Sequence, residues 1–145
     1  MDKELKDLLL NDLCARLPYG VKVAEISGNT TNGAYEVKVV NKETKVIGFN
    51  TPTCLIRCYR NMEMIKPYLR PMSSMSEEEK LQLVHYACIG EDMNGEFIDE
   101  VQRKDCHKYI DWLNKHHFDY RGLIEKNLAL EAPKDMYKFD LIWKK

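Results

Sequence analysis

The chain has 145 residues, 44% apolar and 31% charged, with only 7 glycines and 5 prolines; this suffices for one hydrophobic core and excludes a disordered or fibrous chain. Net charge is −1 but unevenly divided: residues 19–72 hold 8 Lys/Arg against 4 Asp/Glu, and residues 73–145 hold 11 against 15, a modest asymmetry better suited to solvated faces than to a nucleic-acid footprint. Apolar runs such as Leu8-Leu-Leu10 are too short for a membrane span, and the opening Met1-Asp-Lys-Glu-Leu-Lys-Asp7 lacks the apolar stretch of a secretory signal, so a cytoplasmic protein is expected.

Leu5, Leu8, Leu9, Leu13 and Leu17 recur at helical spacing and predict an amphipathic helix over residues 3–17, with Asp12 and Arg16 four apart on its outer side. Pro18, Tyr19 and Gly20 end it, because proline cannot continue the hydrogen-bond ladder and glycine lets the chain reverse. Val21, Val23 and Ile26 open a strand, residues 27–33 form a turn cluster, and Tyr35, Val37 and Val39 alternate with Glu36 and Lys38 in a second strand. A tight connection at Asn41-Lys-Glu-Thr44 leads to Val46, Ile47 and Phe49, and Cys54-Leu-Ile56 is a fourth apolar run. Residues 61–65 fit a single helical turn, and Tyr68-Leu-Arg70 returns as a last short strand. Such a series predicts a small SH3-like barrel or a simple antiparallel meander beneath the first helix.

The hydrophobic period changes between Lys66 and Glu79. Pro67 and Pro71 favour extended backbone before them, whereas Ser76 followed by Glu79 is a capping box. Leu81, Val84, His85 and Cys88 give the inward stripe of a helix over residues 77–88, ended by Gly90. A polar loop at residues 91–95 and a brief extended return at Phe97-Ile98 follow. Asp99 then caps a longer helix running to about His116, with Val101, Cys106, Tyr109, Ile110 and Leu113 inward. Asp119 caps another short helix carrying Leu123, Ile124 and Leu128, with Asn127 as a left-handed end, and the tail from Pro133 reads as extended or loosely packed. The expected fold is therefore α+β in a single unit, 1–145: a helix over 1–18, a small β-barrel or meander over 19–72 and a helical region over 73–145.

The densest group of chemically capable side chains lies between Trp112 and Arg121. A metal-dependent hydrolase would need His116, His117 and Asp119 on one ion, but adjacent helical residues point about 100° apart. Packing of Trp112 and Phe118, capping by Asp119 and local pairing of Arg121 account for most of the cluster. Trp, Tyr and Arg also anchor interfaces, which nominates His117, Tyr120 and Arg121 for contact with a protein partner. Cys14, Cys54, Cys58, Cys88 and Cys106 are odd in number and without framework spacing, as expected of reduced thiols. A zinc site from Cys54, Cys58, Cys106 and His107 matches no standard spacing, since Cys54 and Cys58 on an extended strand lie about 13 Å apart. A His85–Cys88 nucleophile pair lacks an orienting group. Arg57, Arg60, Lys66 and Arg70, interleaved with Tyr59 and Tyr68, combine cations for phosphates with aromatic faces for bases and make the nucleic-acid alternative. No glycine-rich phosphate loop or nucleophile elbow occurs, so no catalytic residue, metal site or cofactor is predicted.

The segments 66–79, 112–126 and 129–133, with the opening Leu10-Asn-Asp-Leu-Cys-Ala-Arg-Leu-Pro-Tyr-Gly-Val-Lys-Val23, resemble a family of small uncharacterised proteins encoded by phages, prophages and mobile elements of gut Bacteroidetes. The resemblance brings no activity, cofactor or catalytic residue to this chain. With the residue reading it gives the expectation of a non-enzymatic protein-interaction module, an accessory factor acting on an unidentified host or phage protein.

Overall fold

The structure is a computed structural model and describes residues 2–52, 56–87 and 108–138. Its first element is helix α1, Lys3–Arg16, capped by the Asp2 carboxylate, which accepts from the Leu5 amide at 2.8 Å. Leu9 and Leu13 are fully buried and Leu10 nearly so, with Leu5, Leu8 and Leu17 packed at the margin. A 3-10 turn, Leu17–Tyr19, then leads to Gly20 in the left-handed conformation at φ 71°. The chain reverses there because glycine carries no Cβ to oppose it.

Five strands follow: β1 (Lys22–Ser27), β2 (Thr30–Asn41), β3 (Val46–Phe49), β4 (Cys58–Asn61) and β5 (Ile65–Leu69). Neighbouring strands in this set pair antiparallel, and β6 (Leu130–Glu131) adds to β5 in parallel, giving the order β4-β3-β2-β1-β5-β6. Two local departures from the expected pattern stand out. The turn cluster at 27–33 narrows to Gly28 and Asn29, because Thr30 onward already pairs with Ser27 and Ile26. The fourth strand lies at Cys58–Asn61 rather than on the apolar run ending at Ile56, which is 76% exposed; Cys54 and Leu55 lie outside the described residues.

Register irregularities between Val23 and Glu25 and between Val37 and Val39 bend β1 and β2, as extra residues in one strand do. The sheet curls enough for Arg60 Nε of β4 to approach Glu25 Oε2 of β1 at 3.4 Å, with two strands between them in the order. No ladder among the described residues joins β4 to β5 or β6, so by its pairings the sheet is open. Between β4 and β5 the predicted single helical turn is a 3-10 turn, Met62–Met64. The main core lies between α1 and the curled sheet and includes Leu9, Leu13, Val23, Val37, Ile47, Phe49, Ile65 and Leu69. Each such side chain contributes about 1.5–3 kcal/mol of burial free energy.

The capping box forms as expected: Ser76 Oγ accepts from the Glu79 amide and Glu79 Oε1 accepts from the Ser76 amide, both at 3.1 Å. Helix α2 runs Glu77–Ala87. Its phase differs from the expected stripe, since Glu79, Gln82 and Leu83 are buried while Leu81 is 67% exposed. Residues 108–115 form the described part of α3, which ends close to the expected His116. Leu113 is buried, Tyr109 is partly buried, and Ile110 is not inward but 36% exposed. Met75, Leu83, Trp112, Leu113 and Phe118 build a second, smaller core beside the sheet. The remainder of the second and third helical stripes, at Val84, His85, Cys88, Val101 and Cys106, and the 91–98 loop and return, lie outside the described side chains.

Asp119 caps a series of turns rather than the expected short helix, accepting from the amides of Leu123 at 2.8 Å and Ile124 at 2.9 Å. Leu123 and Leu128 nevertheless enter the main core, and Asn127 takes the left-handed conformation at φ 60°. The segment after it adds to the sheet: Leu130 and Glu131 lie beside Tyr68 and Leu69, and the Ala132 amide donates to the Leu69 carbonyl at 2.7 Å. The protein is α+β. Among the described residues no helix is long and apolar enough to cross a membrane.

Candidate functional site

The aromatic and basic cluster after α3 turns inward. His117 is 1% exposed, so it cannot serve as a surface contact, which corrects that nomination. Its Nε2 lies 3.0 Å from the Tyr19 carbonyl and its ring stacks on Tyr137 at 4.0 Å. Burial, with the Arg16 charge beside it, lowers its pKa to about 3 and keeps the imidazole neutral. His116 is buried as well, with Nδ1 3.0 Å from the Trp112 carbonyl, and burial lowers its pKa. Asp119 spends both oxygens on backbone amides. The three groups weighed as a metal set are thus committed to carbonyls and amides, and among the described residues no three potential ligands converge.

Tyr120 and Arg121 are brought together but face helix α1. The Tyr120 hydroxyl donates to Asn114 Oδ1 at 2.8 Å, and the Arg121 guanidinium lies 4.6 Å from the Tyr120 ring centroid. Arg121 Nη1 reaches Asp12 Oδ1 at 2.8 Å, across 109 residues of sequence rather than locally. Asp12 is wholly buried; its other oxygen accepts from Arg16 Nε at 2.9 Å, and Arg16 Nη2 donates to the Phe118 carbonyl at 2.6 Å. This cluster replaces the expected outer-face pair, and it clamps the chain after α3 to α1. Spacing could have shown it: at 100° per residue Arg16 falls about 20° from Leu9 on the wheel, inside the leucine face.

The six residues of the basic, Tyr-bearing set do not share one face. Arg70 is partly buried, bonded to both oxygens of Glu79 at 2.7 Å and stacked 4.2 Å from the Phe118 ring centroid. Lys66 Nζ donates to Asn127 Oδ1 and the Tyr68 hydroxyl to the Gly33 carbonyl, each at 2.9 Å, on a strand flanked by β6. Arg57, Tyr59 and Arg60 gather at the opposite end of the sheet order, on or beside β4.

There the surface has a defined build. Burial along β4 alternates, with Tyr59 and Asn61 exposed and Cys58 and Arg60 partly covered. Tyr59 is 53% exposed and lies over Gly48 of β3, where an added Cβ would meet the ring at 2.9 Å. Glycine at 48 therefore lets the ring lie flat on the sheet, beside Val39. Arg57 Nε reaches Asn50 Oδ1 at 3.5 Å, and Arg60 Nη1 donates to the Tyr59 carbonyl at 2.8 Å. The result is an edge strand bearing an aromatic plate and two guanidinium groups, with exposed Ile56 before it.

A cleft of about 440 Å³ lies elsewhere, lined by Arg70, Ser76, Glu79, Pro133, Lys134 and Tyr137 among others. Its Arg70–Glu79 pair is internally neutralised, and the Tyr137 hydroxyl donates to the Tyr68 carbonyl at 2.8 Å, so its polar floor is occupied by structural bonds. No family model matches the chain, and no curated protein or solved structure is significantly similar to it.

Proposed function

We propose that the protein is a non-enzymatic protein-interaction module, acting in the cytoplasm as an accessory factor of a phage or mobile element, whose docking surface is the outer edge of β4. The observation that carries this reading is the exposed Tyr59 ring seated on Gly48 of the neighbouring strand, in a segment that also carries Arg57 and Arg60. Aromatic and arginine side chains supply large contact area and oriented donors at protein interfaces. An SH3-like description of the curled sheet is consistent with this role and is supported by the strand order and the 3-10 turn between β4 and β5.

The test is a tagged pull-down from host lysate, with and without nuclease, using wild type and Tyr59→Ala. A specific protein retained after nuclease and lost with Tyr59→Ala is the expected result. Equal capture by the variant overturns the surface assignment. Recovery of nucleic acid alone overturns the protein-binding reading in favour of phosphate contacts by Arg57 and Arg60. Binding would then fall steeply with salt. Protein binding is preferred because Lys66, Tyr68 and Arg70 are engaged elsewhere, which leaves too short a basic track for a strand of nucleic acid.

A further inference from the structure

Strand β4 presents backbone as well as side chains, and the phase of its ladder can be fixed. The Met62 amide donates to the Lys45 carbonyl at 3.0 Å, in the same register that sets Arg60 opposite Ile47 and Cys58 opposite Phe49. In an antiparallel ladder, pairs that exchange hydrogen bonds alternate with pairs that do not. Tyr59 and Asn61 are therefore the non-bonded positions: the Tyr59 N–H and C=O and the Asn61 N–H point away from β3 along the outer edge, while the Asn61 carbonyl, at the N-cap of the 3-10 turn, accepts the first bond of that turn. Among the described residues no strand lies on that side. The Tyr59 carbonyl is covered by the guanidinium of Arg60, a long cationic side chain of the kind that guards strand edges.

We propose that this edge accepts an extended acidic segment of a partner protein, which adds to the sheet as a seventh strand; this rests on the reading of β4 as the docking surface. The partner's backbone pairs with the outward groups of Tyr59 and Asn61, and its side chain opposite Tyr59 packs on the ring. Arg60, its Nε remaining by Glu25, turns Nη1 from the Tyr59 carbonyl and, with Arg57, meets carboxylates on the incoming strand. Charge selects the occupant. A second copy of this chain is disfavoured, because the antiparallel self-pairing that joins the outward groups of Tyr59 to those of Asn61 sets Arg60 against Arg60 of the other copy, and like charges across a ladder repel. An acidic strand turns that repulsion into attraction.

Asn61→Pro separates strand addition from side-chain capture. Asn61 has φ −58° and ψ 143°, within the range proline adopts, and its N–H faces away from β3, so the substitution deletes an outward donor while keeping Tyr59, Arg57 and Arg60. The probes are two short fluorescein-labelled peptides, one alternating valine with glutamate and one alternating valine with lysine, followed by fluorescence anisotropy. Wild type is expected to bind the glutamate peptide at least about tenfold more tightly than the lysine peptide, and Asn61→Pro to lose about tenfold of that affinity. Equal binding of the two peptides, no binding of either, or unchanged binding by a folded Asn61→Pro overturns the proposal. A readout without a variant is the amide resonances of wild type: the glutamate peptide should shift those of Tyr59 and Asn61, and shifts confined to other strands overturn it. If Tyr59→Ala abolishes capture from lysate while Asn61→Pro does not, the interaction module stands and strand addition falls. If Tyr59→Ala leaves capture intact, the docking surface itself is wrong.

Discussion

Arg70 and Glu79 meet fork to fork, Nη1 on Oε2 and Nη2 on Oε1, each at 2.7 Å, and the same carboxylate also accepts from the Ser76 amide. One side chain thus caps α2 and fastens it to the residue that follows β5. Burial pushes the Glu79 carboxyl up, but the hydrogen bonds from Arg70 and Ser76 and the Arg70 charge outweigh this and hold it below the ordinary glutamate range. Glu79→Ala is expected to cost about 3 kcal/mol, since it removes a cap and strands a half-enclosed arginine. Because the folded pKa lies below the unfolded one, near 4.3, this contribution is present above about pH 4.3 and is lost as pH falls through the lower folded value. Urea titrations of wild type and Glu79→Gln should show a steeper acid loss in wild type; identical pH profiles would contradict the linkage.

Asp12 holds Arg16 and Arg121 at once, and neither it nor Arg16 reaches solvent. Asp12→Ala leaves a buried guanidinium without its counter-charge and is expected to destabilise by about 3–5 kcal/mol. Asp12→Leu combined with Arg16→Met should recover part of that loss, because it removes the fully buried guanidinium and leaves only the partly exposed Arg121 without its carboxylate. Denaturant midpoints decide this: a loss under about 1 kcal/mol for Asp12→Ala would return the pair to the helix surface.

The His117 imidazole, with its pKa lowered to about 3, stays neutral through the range in which an ordinary histidine titrates. The unfolded chain takes up that proton near pH 6.5, so stability derived from the buried neutral ring is complete above about pH 6.5 and falls towards pH 3, at about 1.4 kcal/mol per pH unit. NMR titration of the ring protons provides the check. A His117 midpoint near the ordinary value would show that the ring is solvated.

Helix α2 offers a comparison of two leucines two residues apart. Leu83 is 8% exposed and packs with Trp112 and Leu113, whereas Leu81 is 67% exposed. Leu83→Ala should cost about 2–3 kcal/mol and Leu81→Ala less than about 0.5 kcal/mol. Thermal denaturation of both variants tests the helix phase, and reversed magnitudes would restore the stripe through Leu81.

Gly48 tests how the Tyr59 ring is seated. Gly48→Val places a branched side chain where the ring lies and should lift it from the sheet. Partner capture is expected to fall about tenfold, with a stability change within about 1–2 kcal/mol. Undiminished capture by a folded Gly48→Val would show that the seated ring is not required.

Local rules were legible along the chain. The leucine period built α1, Pro18 and Gly20 ended it, Ser76 and Glu79 formed a reciprocal cap, and Asn127 took a left-handed turn. Each depends on interactions within a few residues, which spacing and side-chain chemistry specify. The α+β class followed from the same change of period between Lys66 and Glu79. The expected site was less legible, because it was chosen by residue type. His117, Tyr120 and Arg121 have the chemistry of an interface and the position of a clamp. Asp12 and Arg16 read as surface charges because charged side chains usually are, although their angular position lay within the leucine face.

By itself, therefore, the sequence determined the end of α1, the reciprocal cap of α2 and the fold class, since all are set by short-range sterics and periodicity. Only the tertiary structure decided that Asp12 would be neutralised by arginines from its own helix and from 109 residues away, that Leu130 and Glu131 would extend the sheet, and that β4 would form its outer edge. Burial of a charge and exposure of a strand depend on which distant segments pack against them, and that free energy is shared among residues no local window contains.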